Sequence, residues 1–398
     1  MSFLTRLNTL ARPLCSSLFC ISRQAMGIQN YCIGGRDAIT RMGMKTCSLP
    51  SVVEEASDLE CDQIHEDVKA TEKDSALRLA VSQLANEFTR ESMLSLQKFF
   101  CTRRAPVIST GSLKLDLALG VGGLPKGRIV EIYGREAAGK TTLALQVIKE
   151  AQKLGGYCAY LDVENALDFS LVESIGVNTE NILVSHPDCA ENLLSMVDTL
   201  TKSGAVDVIV IDSVAALVPK RELDQLGIGC EQDSLKKLLT QALRKIHYSL
   251  SHSQTLIIFI DQVRLRPKSG QACGPVEEVT CGGNALGFHA AVRMRLSRMR
   301  LLKSEDQAEG LAICVQVLKN KLAPAMKKVE LGIKFGRGFC LEAEVLELAC
   351  EYGAIIKQGD SYLIEGLAFD SKLAAQRYLA ENDEILDKLV VDLRRALF

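Results

Sequence analysis

No uncharged apolar run in these 398 residues approaches the roughly 20 positions that a bilayer-crossing helix needs, which argues against a membrane-spanning chain. The 14 cysteines include no C-x-x-C pair, and with five scattered histidines they form no zinc-like cluster, so they read as reduced, mostly buried small hydrophobes. There is no internal repeat and no low-complexity tract. A net charge of -2 argues against a generally basic nucleic-acid coat, but that average hides two blocks of opposite sign. Residues 1–36 hold four arginines and no Lys, Asp or Glu, residues 37–74 hold ten acids against four bases, and residues 75–398 balance to zero.

The acid-free start, with Arg6, Arg12, Arg23 and Arg36 set among Phe3, Leu4, Leu7, Leu10 and Leu14, reads as an organellar transit peptide over residues 1–50. The arginines interrupt any secretory apolar core and favour the mitochondrion, with the chloroplast or both as the alternative; a basic arm that stays on the protein is the blander reading. Residues 51–74 read as an acidic solvated linker. Leu77, Leu79, Ala80, Leu84 and Phe88 recur at helical spacing, so 75–108 is expected to be a helical segment serving oligomerisation. From Ser109 apolar strand-like runs (Arg128–Tyr133, Tyr157–Val163, Val206–Ile211, Thr255–Ile260) alternate with helical stretches, predicting an α/β core with a mainly parallel sheet over 109–339. A strand-like Val329–Phe335, a Gly336–Gly338 turn and short helices follow, predicting a small C-terminal α/β domain over 340–398.

Gly134-Arg135-Glu136-Ala137-Ala138-Gly139-Lys140-Thr141 follows a predicted strand and opens a predicted helix, the context a phosphate-binding loop requires. Its glycines let backbone amides converge on phosphate oxygens, Lys140 bridges the β- and γ-phosphates, and the Thr141 hydroxyl ligates Mg2+. Val208–Ile211 ends in Asp212, as a strand does that delivers a carboxylate to the same Mg2+. Tyr160-Leu-Asp-Val-Glu164 ends another strand, making Glu164 the candidate general base for water attacking the γ-phosphate. A small-molecule phosphotransferase is disfavoured, since no substrate-pocket motif or lid is evident.

Beside the loop stand Ser109-Thr-Gly-Ser-Leu, Gly122-Gly-Leu-Pro-Lys-Gly-Arg-Ile-Val-Glu-Ile-Tyr-Gly134, Glu164-Asn-Ala-Leu-Asp168, Val206–Leu217, Gly282-Gly-Asn-Ala-Leu286 and Lys319-Asn-Lys321. In order and spacing these resemble bacterial RecA recombinases, and with the leader the chain resembles the organelle-targeted RecA proteins of plants. The resemblance implies a RecA-like P-loop ATPase fold using ATP and Mg2+. It makes Gly134 through Thr142 the ATP loop, Asp168 an adenine contact, and Thr141 with Asp212 the metal site. Glu164 becomes the base and Gln262 the sensor of the γ-phosphate. Lys319 and Lys321 would reach a neighbouring subunit's ATP across a helical filament. DNA would bind on loops near Glu222–Asp233 and Leu265–Cys281, involving Arg244, Arg264, Arg266, Lys268, Gly282, Gly283 and Asn284. A few phosphate contacts per protomer suffice, because repetition along the filament multiplies them. Arg293, Arg295, Arg298, Arg300 and Lys303 form a second basic cluster or a solvated strand face.

The sequence also departs from the family pattern. Gln232 stands where a base-wedging methionine is usual, and the second loop is about three residues longer than usual, with Ala272 and Cys273 in place of a central aromatic. Asp261 replaces an asparagine before Gln262, and Leu171 replaces the tyrosine that stacks on adenine, forfeiting roughly 1 kcal/mol. The acidic tail common in bacterial relatives does not follow Leu393–Phe398, so its restraint on DNA loading is expected to be missing. The expected activity is a DNA-dependent ATPase that filaments on single-stranded DNA, pairs it with homologous duplex DNA and exchanges strands in organellar repair, with no membrane partner. The alternative is a nucleotide-switched accessory DNA-binding filament protein with weak or no strand exchange.

Overall fold

The computed structural model describes residues 106–224, 232–267, 276–304 and 307–398, with Ser75 and Leu79 before them. The proposed leader, the acidic spacer and, apart from those two residues, positions 75–105 lie outside the described residues. Lys268 also lies outside them, as do the side chains of Gln232 and Arg266. Among the described residues no helix is long and apolar enough to cross a membrane.

From residue 106 the chain makes β1 (Val107–Ile108), α1 (Leu113–Leu119) and β2 (Leu124–Pro125), with β1 and β2 paired antiparallel. Ser112 starts α1 by accepting the Leu115 amide, and Gly120 closes it in a left-handed conformation at φ 75°. Alternating elements follow: β3 (Ile129–Gly134), α2 (Lys140–Lys153), β4 (Cys158–Asp162), α3 (Phe169–Ile175), β5 (Ile182–Ser185), α4 (Ala190–Ser203) and β6 (Val208–Asp212). Next come α5 (Lys220–Asp224), α6 (Gln232–Leu250), β7 (Leu256–Pro267), β8 (Val276–Thr280) and α7 (Gly283–His289). A long hairpin of β9 (Val292–Ser304) and β10 (Gln307–Asn320) leads to β11 (Lys328–Lys334) and β12 (Gly338–Phe339). The last part holds α8 (Leu341–Glu351), β13 (Ile356–Gln358), β14 (Ser361–Ile364), β15 (Leu367–Phe369), α9 (Lys372–Glu381) and α10 (Asp383–Leu397).

The central sheet runs β12-β11-β10-β9-β3-β7-β6-β4-β5, with β8 hydrogen-bonded to β7 outside that order. Strands β9, β3, β7, β6, β4 and β5 are parallel, and β10 to β12 continue antiparallel from β9. The parallel part follows from unbroken apolar runs that suit strands buried on both faces. In β6, Val208 and Val210 join the core that contains Leu143 and Val147 of α2, while Ile209 and Ile211 join the opposite core with Leu193 of α4 and Leu243 of α6. Each such buried side chain contributes about 1.5–3 kcal/mol, which outweighs local preference in fixing both helix layers. The C-termini of these parallel strands share one sheet edge, where Gly134 pairs with Gln262 and Asp162 with Asp212.

Two strands differ from the sequence expectation. The run expected at Thr255–Ile260 continues to Pro267, because β8 supplies backbone partners for the part of β7 beyond the sheet's apolar interior. The basic text of 293–303 belongs to a 13-residue strand whose polar side chains hide the period of its buried Val292, Met294 and Leu296. A separate apolar cluster joins Leu113 to Val345, Leu346, Tyr362, Ile364, Leu379 and Leu393, so α1 packs against the C-terminal helices. Arg394 of α10 ion-pairs with the buried Asp116 of α1 and donates to the Gly122 carbonyl. Burial pushes the Asp116 carboxyl up, against the lowering pull of Arg394 and of hydrogen bonds from Ser109 and Thr110.

Candidate active site

The turn from β3 into α2 brings backbone into tight space. A Cβ on Gly134 would lie 2.2 Å from the Leu296 carbonyl oxygen of β9, so only glycine fits the strand there. Ala137 and Gly139 take positive φ of 51° and 81°, which curls the loop, and Gly139 begins α2 without a side-chain acceptor. The amides of the first turn of α2 thus keep the orientation that favours a phosphate anion. Ala138 is buried, Arg135 and Glu136 are exposed, and Thr141 and Thr142 are half-buried. Lys140 folds back onto the loop, its Nζ donating to the Gly134 oxygen at 3.1 Å and the Arg135 oxygen at 2.8 Å. Burial lowers its pKa, opposed mainly by the charges of Asp212 and Glu164.

Asp212 receives two hydroxyls on one oxygen: Thr141 Oγ1 at 2.8 Å and Tyr160 Oη at 2.7 Å. Its pKa is raised, first by burial and further by Glu164 and Asp162, while the two hydroxyl bonds pull it down. Tyr160 itself is raised by burial and by the Asp212 charge. A buried carboxylate beside two further acids is short of positive charge, and a hard cation with oxygen ligands suits it. No cluster of three His, Cys, Asp or Glu side chains fit to hold a metal occurs among the described residues. One carboxylate and one hydroxyl match Mg2+, which keeps most of its shell as water and phosphate oxygens.

Glu164 is exposed, and its Oε1 accepts the Gln262 side-chain amide at 2.7 Å and the Ser213 hydroxyl. The preceding strand position explains how Gln262 is held. Asp261 is buried; its Oδ1 accepts the Gln262 backbone amide at 2.8 Å and its Oδ2 accepts the Gly282 amide at 2.7 Å. Asp261 therefore pins both ends of the excursion between Gln262 and Gly282. A carboxylate serves both amides, whereas an asparagine has a single acceptor oxygen. Burial pushes the Asp261 carboxyl up to about 7, against the lowering effect of the Gly282 amide.

The structure thus brings Lys140, Thr141, Asp212, Glu164 and Gln262 to one edge. Asp168 stands apart as the cap of α3, its Oδ1 accepting the Ser170 amide at 2.9 Å and hydroxyl at 2.6 Å, bonds that lower its pKa. Leu171 is half-buried against the main core. Lys319 contacts α7 rather than the phosphate loop, with Nζ donating to the carbonyls of Gly287 at 2.7 Å and Phe288 at 3.1 Å; burial and Lys321 lower its pKa. Lys321 is exposed. Arg264, Gly283 and Asn284 line one cleft of about 590 Å³, together with Lys236, Val218 and Glu222, the last in α5 at the start of the first loop. Arg244 lies on the exposed side of α6 and Gly282 is buried beneath the cleft wall. Sequence reasoning missed Tyr160, Ser213 and the clamping role of Asp261. The signal for Tyr160 is a polar-tipped residue in the same strand two positions before Asp162; the other two lie next to residues already singled out.

Fold and site together define a P-loop ATP-binding protein with a RecA-like core. Residues 75–340 match the family model described as the RecA N-terminal domain. The DNA repair protein recA homolog 3, mitochondrial, of Arabidopsis thaliana is 48% identical over 327 residues, covering 82% of this chain and 76% of that protein. Protein RecA of Nitrobacter winogradskyi is 44% identical over 326 residues, covering 81% and 89%. The crystal structure of the RadB recombinase aligns with a TM-score of 0.43 and 23% identity, covering 58% of this chain and 98% of that one. The chain belongs to the RecA family of DNA repair and recombination ATPases.

Proposed function

We propose that this protein is a DNA-dependent ATPase that forms ATP-bound filaments on single-stranded DNA and catalyses homologous pairing and strand exchange in the repair of organellar DNA. The observation that carries the reading is the 2.7 Å hydrogen bond from Gln262 to Glu164. It joins the carboxylate suited to activate water to the strand that continues, through Arg264, into the second loop. In the hydrolytic step Glu164 accepts a proton from water, and Lys140 leaves its loop carbonyls for the phosphate oxygens. Thr141 and Asp212 would hold Mg2+, which would supply positive charge to offset the negative charge developing on the phosphates. Asp168 is assigned to adenine, and Lys319 and Lys321 to the ATP of a neighbouring protomer. Arg244, Arg264, Arg266 and Lys268, with Gly282, Gly283 and Asn284, are assigned to DNA.

Residues 1–50 are assigned to mitochondrial import, with the chloroplast or both as the alternative, supported by the acid-free leader and by the relative named as mitochondrial. Residues 51–74 serve as a spacer, 75–108 as an oligomerisation segment, 109–339 as the ATPase core and 340–398 as the C-terminal domain. Gln232 and the Ala272-Cys273 pair in the DNA loops favour a second reading, a nucleotide-switched accessory filament protein with weak or no strand exchange. ATP turnover with and without single-stranded DNA, followed by a strand-exchange assay on the mature protein, separates the two. Turnover indifferent to DNA overturns the ATPase reading. Stimulated turnover without joint molecules selects the second.

A further inference from the structure

The returning arm of the second loop has its own attachment to the phosphate loop. Arg135, the residue after Gly134, donates through Nε at 3.1 Å and Nη2 at 2.8 Å to Oε1 of Glu278 in β8. The other oxygen, Oε2, is held by Arg295 of β9. Strand β8 pairs with the outer half of β7, Leu265 opposite Glu278, so the two strands form a ribbon that carries the loop between them. The outgoing strand is tied to the site by Gln262 and Glu164; Arg135 and Glu278 tie the returning strand. The Arg135 side chain is 71% exposed, at the mouth of the loop, whereas Glu278 is 20% exposed.

We propose that Arg135 is a positioning residue whose bridge to Glu278 is a second line of coupling between the nucleotide and the DNA-binding ribbon. The inference rests on the ATPase reading above and deepens it. A surface ion pair of this kind adds little to folding, because solvent screens it and both side chains lose freedom. It acts through a difference between states: phosphates entering the loop change the field and the backbone at residue 135, and the guanidinium then holds Glu278 differently. A contact that changes strength between the nucleotide-free and nucleotide-bound states contributes to the coupling between sites, and equally in both directions.

The test is a binding cycle on the full chain. The Kd for a fluorescent oligothymidine is measured with Mg2+ alone and with Mg2+ plus a slowly hydrolysed ATP analogue, and the ratio is the coupling factor. Arg135→Met and Glu278→Gln should each lower that factor by up to about fivefold, the range of a solvent-exposed pair, and the double variant should lower it no further. Arg135→Lys, which keeps the charge and one contact, should retain more than Arg135→Met. By reciprocity the gain in analogue affinity on adding oligothymidine should fall by the same ratio, which loss of folded protein alone would not produce. Thermal melts identify a variant that fails to fold, and the other single variant then carries the comparison. Unchanged coupling in both single variants, or additive losses in the double, overturns the tether and leaves the ATPase reading standing. A factor of one in the unmodified protein overturns both.

Discussion

The Tyr160 hydroxyl donates to Asp212 Oδ2 at 2.7 Å, and the Thr141 hydroxyl meets the same oxygen at 2.8 Å. One buried carboxylate oxygen is thus oriented by two neutral donors, one of them from the adjacent strand β4. Tyr160→Phe keeps the ring and removes one of these bonds, which costs about 1 kcal/mol of stability and raises the Asp212 pKa further. The expected outcome is a several-fold higher Mg2+ concentration for half-maximal binding of an ATP analogue, read by a Mg2+ titration; an unchanged midpoint would separate Tyr160 from the metal site.

Lys140→Ala should lower ATP turnover at least a hundredfold, since no other described cation contacts the carbonyls of Gly134 and Arg135. Glu164→Gln should leave ATP-dependent filaments that form and do not hydrolyse. Turnover assays and negative-stain images of the same samples check both, and undiminished turnover in the glutamine variant would remove Glu164 as the base.

Asp261 makes the pH dependence of folding informative. Its pKa is raised to about 7 in the folded chain from 3.8, so between those values the folded state holds the proton and the unfolded state does not. Its contribution to stability is fully present below pH 3.8 and is lost as pH rises through about 7. Measured against Asp261→Asn, the parent chain should therefore lose on the order of a few kcal/mol from pH 4 to pH 7 and change little above that. Urea unfolding of both proteins across that range provides the comparison, and parallel curves would contradict it. The variant also frees one of the two clamped amides, so its DNA affinity with nucleotide bound should fall.

Arg394→Ala strands the carboxylate of Asp116, which is wholly buried, and should destabilise the protein by about 3 kcal/mol. Pairing it with Asp116→Asn should recover part of the loss in urea unfolding; no recovery would mean that Arg394 acts through its packing on Phe398.

What could be read in advance was what local spacing encodes. Gly134, Gly139 and Lys140 lie within seven consecutive residues, and the chain bends there for reasons carried by those residues alone. Val208–Ile211 announces a strand because all four side chains are apolar and both sheet faces are covered. Contacts made only after folding were not legible: Arg135 meets Glu278 across 143 positions, and Tyr160 meets Asp212 across 52. Nor could spacing show that Leu171 turns toward the core or that Lys319 rests on α7, since both depend on neighbours from other strands and helices.

Strand β7 runs without interruption from Leu256, wholly buried among its neighbours, to Pro267 at the edge of the second loop. At about 3.3 Å per residue it is a rod of roughly 40 Å, with Gln262 near its middle. It is paired on both sides, by β3 and β6, from Ile257 to Phe259, by β3 alone to Gln262, and by β8 from Val263 outward. The middle of that strand lies against the phosphate loop, where Gln262 pairs with Gly134, so one unbroken element spans the distance from the loop to the ribbon.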